Sequence, residues 1–148
     1  MTDADSYFAM EHDGTAGGGF YVEVDKDVAA VEFVDGLVFR PVVGDKLMAN
    51  FVRFRPNTVA PVHTHDEEQI TVVIEGEFEF DLAGDVRIIR PGMAAVVPPG
   101  VPHGARTYDS SCFEIDIFHP PRRALLELAG RPREGAAEPE GPPTLPPD

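Results

Sequence analysis

The chain has 148 residues, 43% of them hydrophobic, which is enough for one domain with its own core. Its formal net charge of −14 argues against nucleic acids or anionic membranes as partners, because phosphate groups are repelled. The single cysteine, Cys112, excludes an internal disulfide and a cysteine-based zinc site. The N-terminus lacks the basic and apolar parts of a signal peptide, and no apolar run approaches the roughly 18 residues that cross a bilayer, so we expect a cytoplasmic protein.

The order of polar and apolar segments predicts one β-rich domain between two tails. Residues 1–19 are acidic and glycine-rich and predict a flexible arm. Residues 20–129 alternate short apolar runs with turns, which is typical of an all-β domain, and residues 123–128 predict a short helix that stops at Gly130. Residues 130–148 are proline-rich and predict a disordered tail. Strands are expected at 21–24, 28–33, 37–43, 46–55, 59–65, 69–75, 77–82, 86–90, 94–97, 104–108 and 112–118.

Histidines in the middle of the chain predict a site for a metal ion. Residues two apart on a strand share a face, so His63 and His65 can meet one ion, although such pairs are often only solvated. Gln69 opens the next apolar run, and a hairpin would bring its amide oxygen beside the two imidazoles. His103 follows the turn at residues 98–100, as expected for a ligand from a third strand. Three histidines and an amide oxygen suit one divalent transition metal ion (Zn, Ni, Mn, Fe or Co) better than calcium or magnesium.

A second group of polar residues lies in the last predicted strand. Period two places Glu114, Asp116 and Phe118 on one face. Two arrangements are open, since the acids can face water or can line a pocket near the metal, where an acid can transfer protons. Arg122 follows this strand, where it can bind a substrate carboxylate or form a structural salt bridge.

Both histidine segments resemble the two signature motifs of the cupin superfamily, small double-stranded β-helix (jelly-roll) barrels that hold a metal in the barrel mouth. The first motif is G-x5-H-x-H-x(3,4)-E-x6-G; here Asn57, which tolerates left-handed geometry, replaces the first glycine, Gln69 replaces glutamate and Gly76 closes the motif. In the second, G-x5-P-x-G-x2-H-x3-N, Thr107 replaces asparagine, and the matching residues are Gly92, Pro98, Gly100 and His103. The resemblance covers residues 37–128. It implies a cupin barrel with the metal ligands His63, His65, Gln69 and His103.

The spacing Asp-x-Phe-x-x-x-Arg is similar to that of the small cupins of pectin and alginate breakdown. Those proteins open unsaturated cyclic uronates to the linear keto form, with a metal held by three histidines and a glutamine. Their Asp, Phe and Arg lie around the substrate, and they match Asp116, Phe118 and Arg122. Asp116 and Arg122 are therefore the predicted catalytic residues. Phe118, Arg122 and Glu114 are the predicted substrate-binding residues.

These patterns favour a metal-dependent enzyme of isomerase or lyase type. Neutral ligands leave a divalent ion its full charge as a Lewis acid, and the missing carboxylate ligand weighs against an oxygenase. The leading hypothesis is ring opening or tautomerisation of a small, carboxylated, sugar-like substrate, in which Asp116 moves the proton and Arg122 holds the carboxylate. The alternatives are a polyketide cyclase-like enzyme, another lyase, an oxygenase or a non-catalytic small-molecule-binding barrel.

The apolar residues between 20 and 33 bear on the oligomeric state. One barrel has little surface with which to cover them. We therefore expect a homodimer in which the N-terminal strand crosses to the partner as an added edge strand. The expected partners are thus a small-molecule substrate and a second copy of this chain.

Overall fold

The structure is a computed structural model that describes residues 2–8 and 17–129. The elements in chain order are α1 (Asp3–Phe8), α2 (Val24–Asp27), β1 (Val31–Val34), β2 (Leu37–Val43), β3 (Met48–Phe54), β4 (Val59–His63), β5 (Glu68–Gly76), β6 (Phe78–Leu82), β7 (Asp85–Ile89), β8 (Ala94–Val97), β9 (His103–Arg106), β10 (Cys112–His119) and α3 (Arg123–Ala129). The predicted tail at 130–148, and residues 1 and 9–16 of the predicted arm, lie outside the described residues, so the division of the chain into arm, barrel and tail stays a prediction. Within the described ranges, no helix has the length and apolar character needed to cross a membrane.

Two antiparallel sheets form the jelly-roll barrel that the sequence predicts. The larger sheet has the strand order β1-β2-β3-β10-β5-β8, and the smaller has the order β4-β9-β6-β7. Alternate residues of each strand point between the sheets, as the burial pattern of β3 illustrates. The apolar core between them contains Leu37, Val52, Phe54, Val73, Phe78, Phe80, Ile89, Ala95, Val97 and Cys112. The all-β cupin fold with a short C-terminal helix is confirmed.

The N-terminal region differs from its predicted strands. Residues 24–27 form the one-turn helix α2, in which the carboxylate of Asp27 accepts a hydrogen bond from the backbone N–H of Glu23 at 2.9 Å. The charged residues of this turn interrupt the period-two apolar pattern that a strand requires. The first strand, β1, pairs with β2 of the same chain.

The predicted hairpin between the two ligand-bearing runs is wrong. Strand β4 pairs with β9 in the smaller sheet, whereas β5 lies between β10 and β8 in the larger one. Both edges of β5 are occupied, so β4 has no place beside it. Residues 64–67 therefore cross from one sheet to the other at the barrel mouth, and His65 lies on this crossing, beyond the end of β4.

Two replacements in the cupin motifs have clear structural roles. Asn57 has φ of 55°, so the predicted left-handed turn is confirmed. Thr107 is buried, and its hydroxyl donates to the carbonyl of Arg55 at 2.5 Å and accepts from the backbone N–H of Thr58 at 3.1 Å. These hydrogen bonds of Thr107 stabilise the turn before β4, the strand that ends at His63.

Gly76, the closing glycine of the first motif, gives a test of packing between β5 and β10. Its φ is 75°, and an added Cβ would collide with the carbonyl oxygen of Ser111. Gly84 is a matched control, since its φ is 89° but nothing lies within 4 Å of an added Cβ. We expect Gly84→Ala to lower the free energy of unfolding by about 1 kcal/mol and Gly76→Ala by about 2–4 kcal/mol. Urea denaturation measures both, and equal losses would contradict the close contact at Gly76.

Candidate metal centre

Three histidines meet at the barrel mouth. His63 ends β4, His103 begins β9, and the two are register partners in the smaller sheet. His65 approaches from the crossing segment, with ring centroids 5.7 Å from His63 and 4.9 Å from His103. One possible ligand nitrogen from each residue lies within 4.8 Å of the other two. The cluster therefore has the arrangement of a metal site.

Backbone carbonyl groups set the tautomer of each ring. The Nδ1 atoms of His63, His65 and His103 lie 2.7, 3.0 and 2.9 Å from carbonyl oxygens. A carbonyl oxygen only accepts hydrogen bonds, so each Nδ1 must be the protonated nitrogen. Each neutral ring then has its lone pair on Nε2, the nitrogen available for a metal. The accepting carbonyls belong to Pro61, Glu67 and Val101, each two residues from its histidine.

Burial keeps the two inner histidines neutral. His103 is 2% exposed, and its Nε2 has no hydrogen-bond partner among the described residues. Burial lowers the pKa of His103, and burial followed by the positive charge of Arg122 lowers the pKa of His65. A buried, unpaired lone pair costs free energy unless it is bound, which is what a metal ion provides.

Gln69 completes the predicted ligand set. Its Oε1 lies 2.9 Å from Nε2 of His65, while its amide nitrogen donates to Thr71 Oγ1 at 2.7 Å and to Asp116 Oδ1 at 3.3 Å. With Nδ1 of His65 protonated, Nε2 of His65 and Oε1 of Gln69 are two lone-pair atoms in contact. Such atoms repel one another unless both bind one cation. The residues therefore fit a divalent ion, whose identity the donor set leaves open.

The acidic strand β10 faces inward. Glu114, Asp116 and Phe118 line the same cavity as His63 and His103, so the alternative in which the acids face water is wrong. Across the larger sheet, Asp116 has Thr71 as its register partner on β5. The Thr71 hydroxyl donates to Asp116 Oδ1 at 2.7 Å. One carboxylate is thus held beside the ligand Gln69.

Glu114 and Asp116 share a face but have different surroundings. Glu114 is 2% exposed, and burial, followed by the negative charge of Asp116, raises its pKa well above the usual range. Burial therefore favours the neutral, protonated form of Glu114 compared with an exposed glutamate. Asp116 is only partly buried.

Arg122 reaches the same cavity from the start of α3. Its Cζ lies 5.8 Å from the ring centre of Phe118, and its Nε lies 3.7 Å from a carboxylate oxygen of Glu67. That Nε is buried and has no hydrogen-bond partner among the described residues. Burial lowers the pKa of Arg122, but a guanidinium stays charged at neutral pH. The cavity thus has a cationic donor near the histidines.

Sequence reasoning missed several residues of this site. Thr71 lies two residues after Gln69, so period two was a usable signal for its inward position. Asn50 is a polar residue within the apolar strand β3, which was another usable signal, and it lines the cavity. Glu67 contributes both a carbonyl to His65 and a carboxylate near Arg122, and no local pattern indicates either contact.

Comparison with known proteins gives the family. Residues 50–115 match the Cupin domain family. The pectin degradation protein KdgF of Dickeya dadantii is 30% identical over 105 residues, which are 70% of this chain and 96% of that protein. The dimethylsulfoniopropionate lyase DddQ of Ruegeria pomeroyi is 37% identical over 90 residues, which are 60% of this chain but only 43% of that protein. The structure of KdgF from Halomonas sp. matches with a TM-score of 0.66 and 32% identity, covering 74% of this chain and 99% of that one.

The fold and the site thus define a cupin barrel with a candidate metal centre. The chain belongs to the cupin family, as the match to nearly the whole length of one curated relative shows. It resembles the pectin-degradation cupins in particular.

The metal site makes a direct prediction about stoichiometry. The full-length chain, produced without a histidine tag and dialysed with Zn²⁺, should retain one equivalent of metal by mass spectrometry. His103→Ala removes a buried ligand and should bring retention far below one equivalent. His119, an exposed residue outside the cluster, supplies the control, since His119→Ala should keep one equivalent. One equivalent retained by His103→Ala would place the ion elsewhere.

Proposed function

We propose that this cupin is a metal-dependent enzyme that opens or tautomerises a small carboxylated, sugar-like substrate. The observation that supports it most is the position of Asp116. Its carboxylate is hydrogen-bonded to Thr71 and Gln69 in the cavity that also contains His63 and His103. A proton acceptor and a cluster of candidate metal ligands could therefore contact the same bound molecule.

The proposed ligands of the ion are His63, His65, His103 and the amide oxygen of Gln69. All four are neutral, so a bound divalent ion would supply Lewis-acid polarisation of a substrate oxygen at nearly full charge. The carbonyl partners of the three imidazoles hold the rings in the required tautomer.

The proposed role of Asp116 is to move a proton between substrate atoms. Hydrogen bonds from Thr71 Oγ1 at 2.7 Å and Gln69 Nε2 at 3.3 Å hold Oδ1 in place. A carboxylate fixed in this way loses little freedom when it takes a proton from a bound substrate. Ring opening and tautomerisation both need such a transfer, because a proton leaves one atom of the substrate and arrives at another.

The proposed role of Arg122 is to bind the substrate carboxylate. Its buried Nε lacks a hydrogen-bond partner among the described residues, and the ring of Phe118 lies beside the guanidinium. A carboxylate accepts two parallel hydrogen bonds from a guanidinium, which fixes the orientation of the substrate. The ring of Phe118 can then pack against the apolar side of that molecule.

An unsaturated uronate is the proposed substrate. Two observations support it: identity of 30% with KdgF over 96% of that protein, and the arrangement of Asp116, Phe118 and Arg122 around one cavity. A lyase reaction is the second candidate, favoured by the 37% identity with DddQ over 90 residues. In that case Asp116 would remove a proton from the substrate, and the substrate would then lose a leaving group.

Replacement of Asp116 tests the mechanism. Asp116→Asn keeps the shape but removes the base, so turnover of an unsaturated uronate should fall on the order of 10²-fold or more. The reaction is followed by loss of ultraviolet absorbance of the conjugated double bond, and the product is identified by NMR. Metal content should not change, and the exposed Asp109→Asn should retain full activity. Full activity of Asp116→Asn would contradict the proposed role, and products with a lost group would favour the lyase.

We also propose that two copies pair through the outer face of the larger sheet, and not through an exchanged N-terminal strand. The outward residues of β3, β10, β5 and β8 include exposed Ile70, Ile74 and Val96. The outward positions in the rows of Phe51 and Ala49 include no acidic residue, whereas Glu75 lies in the row of Arg53 and Phe113. In a chain of net charge −14, the rows of Phe51 and Ala49 offer a second copy an apolar surface without acidic residues. The outward residues in the rows of Phe51 and Ala49 are Ala49, Phe51, Ile70, Val72, Ala94, Val96, Ile115 and Ile117.

Light scattering tests this interface. The wild-type chain should give twice its mass of 16.1 kDa at micromolar concentration. Val96→Glu places a charge on the outer face and should give the monomer mass. Val86, an exposed valine of the smaller sheet, is a matched control, since Val86→Glu should remain dimeric. A wild-type mass of 16.1 kDa, or a dimeric Val96→Glu, would overturn the interface.

A further inference from the structure

Two buried oxygen atoms at the inner end of the cavity have no hydrogen-bond partner among the described residues. They are Oδ1 of Asn50 and Oε2 of Glu114, and each residue is 2% exposed. Both residues line the cavity that contains His63 and His103. Neither has an assigned ligand in the mechanism proposed above through Asp116 and Arg122.

The two side chains are neighbours on the larger sheet. Asn50 of β3 is the register partner of Asp116, and Glu114 lies two residues before Asp116 on β10. Period two turns all three side chains to the inner face. Diagonal neighbours on one face have Cβ atoms roughly 7–8 Å apart or somewhat less, so one small chemical group can lie within reach of both oxygens.

The surroundings make these unpaired oxygens costly. The lining of the cavity includes Val52, the register partner of Glu114, together with Phe54 and Phe78, and these side chains offer no hydrogen-bond donor. A buried acceptor without a donor costs about 1–3 kcal/mol. Buried polar atoms in folded proteins almost always have a partner, so this pair indicates that a donor-bearing molecule enters the cavity.

Both oxygens act as acceptors. Burial raises the pKa of Glu114 and so favours its neutral carboxyl, whose single O–H can be donated in the hydrogen bond to Asp116. The remaining Oε2 then accepts, as does the amide oxygen of Asn50. A cationic donor is disfavoured here, because Arg122 and an ion on the histidines place positive charge in the same cavity. The matching donor is a neutral hydroxyl group.

We infer that Asn50 and Glu114 form a hydroxyl-binding subsite at the inner end of the substrate cavity. Arg122 also lines the outer cavity beside α3, whereas Asn50 and Glu114 line only the inner one. A substrate with its carboxylate at Arg122 can therefore place a hydroxyl group at the subsite, since all three residues line one cavity. The inference rests on the proposed function, since it names the part of the substrate that the same cavity selects.

A binding experiment tests the subsite separately from catalysis. The Zn²⁺-loaded full-length chain is titrated by calorimetry with galacturonate and with each of its singly deoxygenated analogues. We expect at least one analogue to bind about 10-fold more weakly than galacturonate, the loss of one or two hydrogen bonds. In Asn50→Leu and in Glu114→Leu, the affinities for galacturonate and for that analogue should differ by no more than about two-fold.

Two further variants separate hydrogen bonding from a change in packing. Glu114→Gln retains a donor for Asp116 and an acceptor for the ligand, so it should keep the 10-fold preference. Val73 is the β5 partner of Glu114 but does not line the cavity, so Val73→Ala should weaken the fold and keep the preference.

The outcomes distinguish the two proposals. If galacturonate and all its analogues bind the wild-type chain with equal affinity, and Asn50→Leu leaves these affinities unchanged, the hydroxyl subsite is overturned. Water alone would then satisfy the two oxygens. The carboxylate site at Arg122 would then still stand. If neither galacturonate nor any analogue binds, the subsite inference is overturned, whereas the proposed function stands or falls with turnover of the unsaturated uronate.

Discussion

The metal centre depends on one constraint, the hydrogen bond between each imidazole Nδ1 and a backbone carbonyl two residues away. Rotation of any ring, or a change of tautomer, would turn a protonated nitrogen towards the site. The carbonyls are fixed because strands and the crossing segment fix the backbone. His63 and His103 are held at opposed strand ends, and His65 by the crossing. The fold therefore orients the candidate ligands, which would reduce the free-energy cost of binding an ion.

The sequence predicted the residues of this site, but it did not predict the strand pairing that brings them together. Spacing alone brought together the ligand set, because cupin motifs place their histidines at fixed distances along the chain. The path of the chain was not predictable locally: β4 pairs with β9 because both edges of β5 are occupied by strands that are distant in sequence. The carbonyl partners were equally hidden, since every residue has a carbonyl and only the folded backbone directs one at His65.

Strand β10 shows what a periodic pattern can predict and what it leaves undetermined. Period two correctly predicted that Glu114, Asp116 and Phe118 share a face, and it left open which face is inside. Once inside, the two acids differ because of their neighbours across the sheet, Val52 and Val73 for Glu114 but Asn50 and Thr71 for Asp116. Those neighbours come from other strands, so inspection of β10 alone could not show that burial raises the pKa of Glu114.

The replacement of the motif glutamate by Gln69 follows from the presence of Asp116. The amide offers an oxygen towards His65 and an N–H towards Asp116 Oδ1, 3.3 Å away. A glutamate at this position could serve the metal equally well, but it would set a second carboxylate against Asp116 with no proton between them. Two like charges at that distance in a partly buried site repel by several kcal/mol, so one acid would be protonated or displaced. The neutral amide of Gln69 therefore avoids this repulsion, and the carboxylate of Asp116 can stay charged beside it.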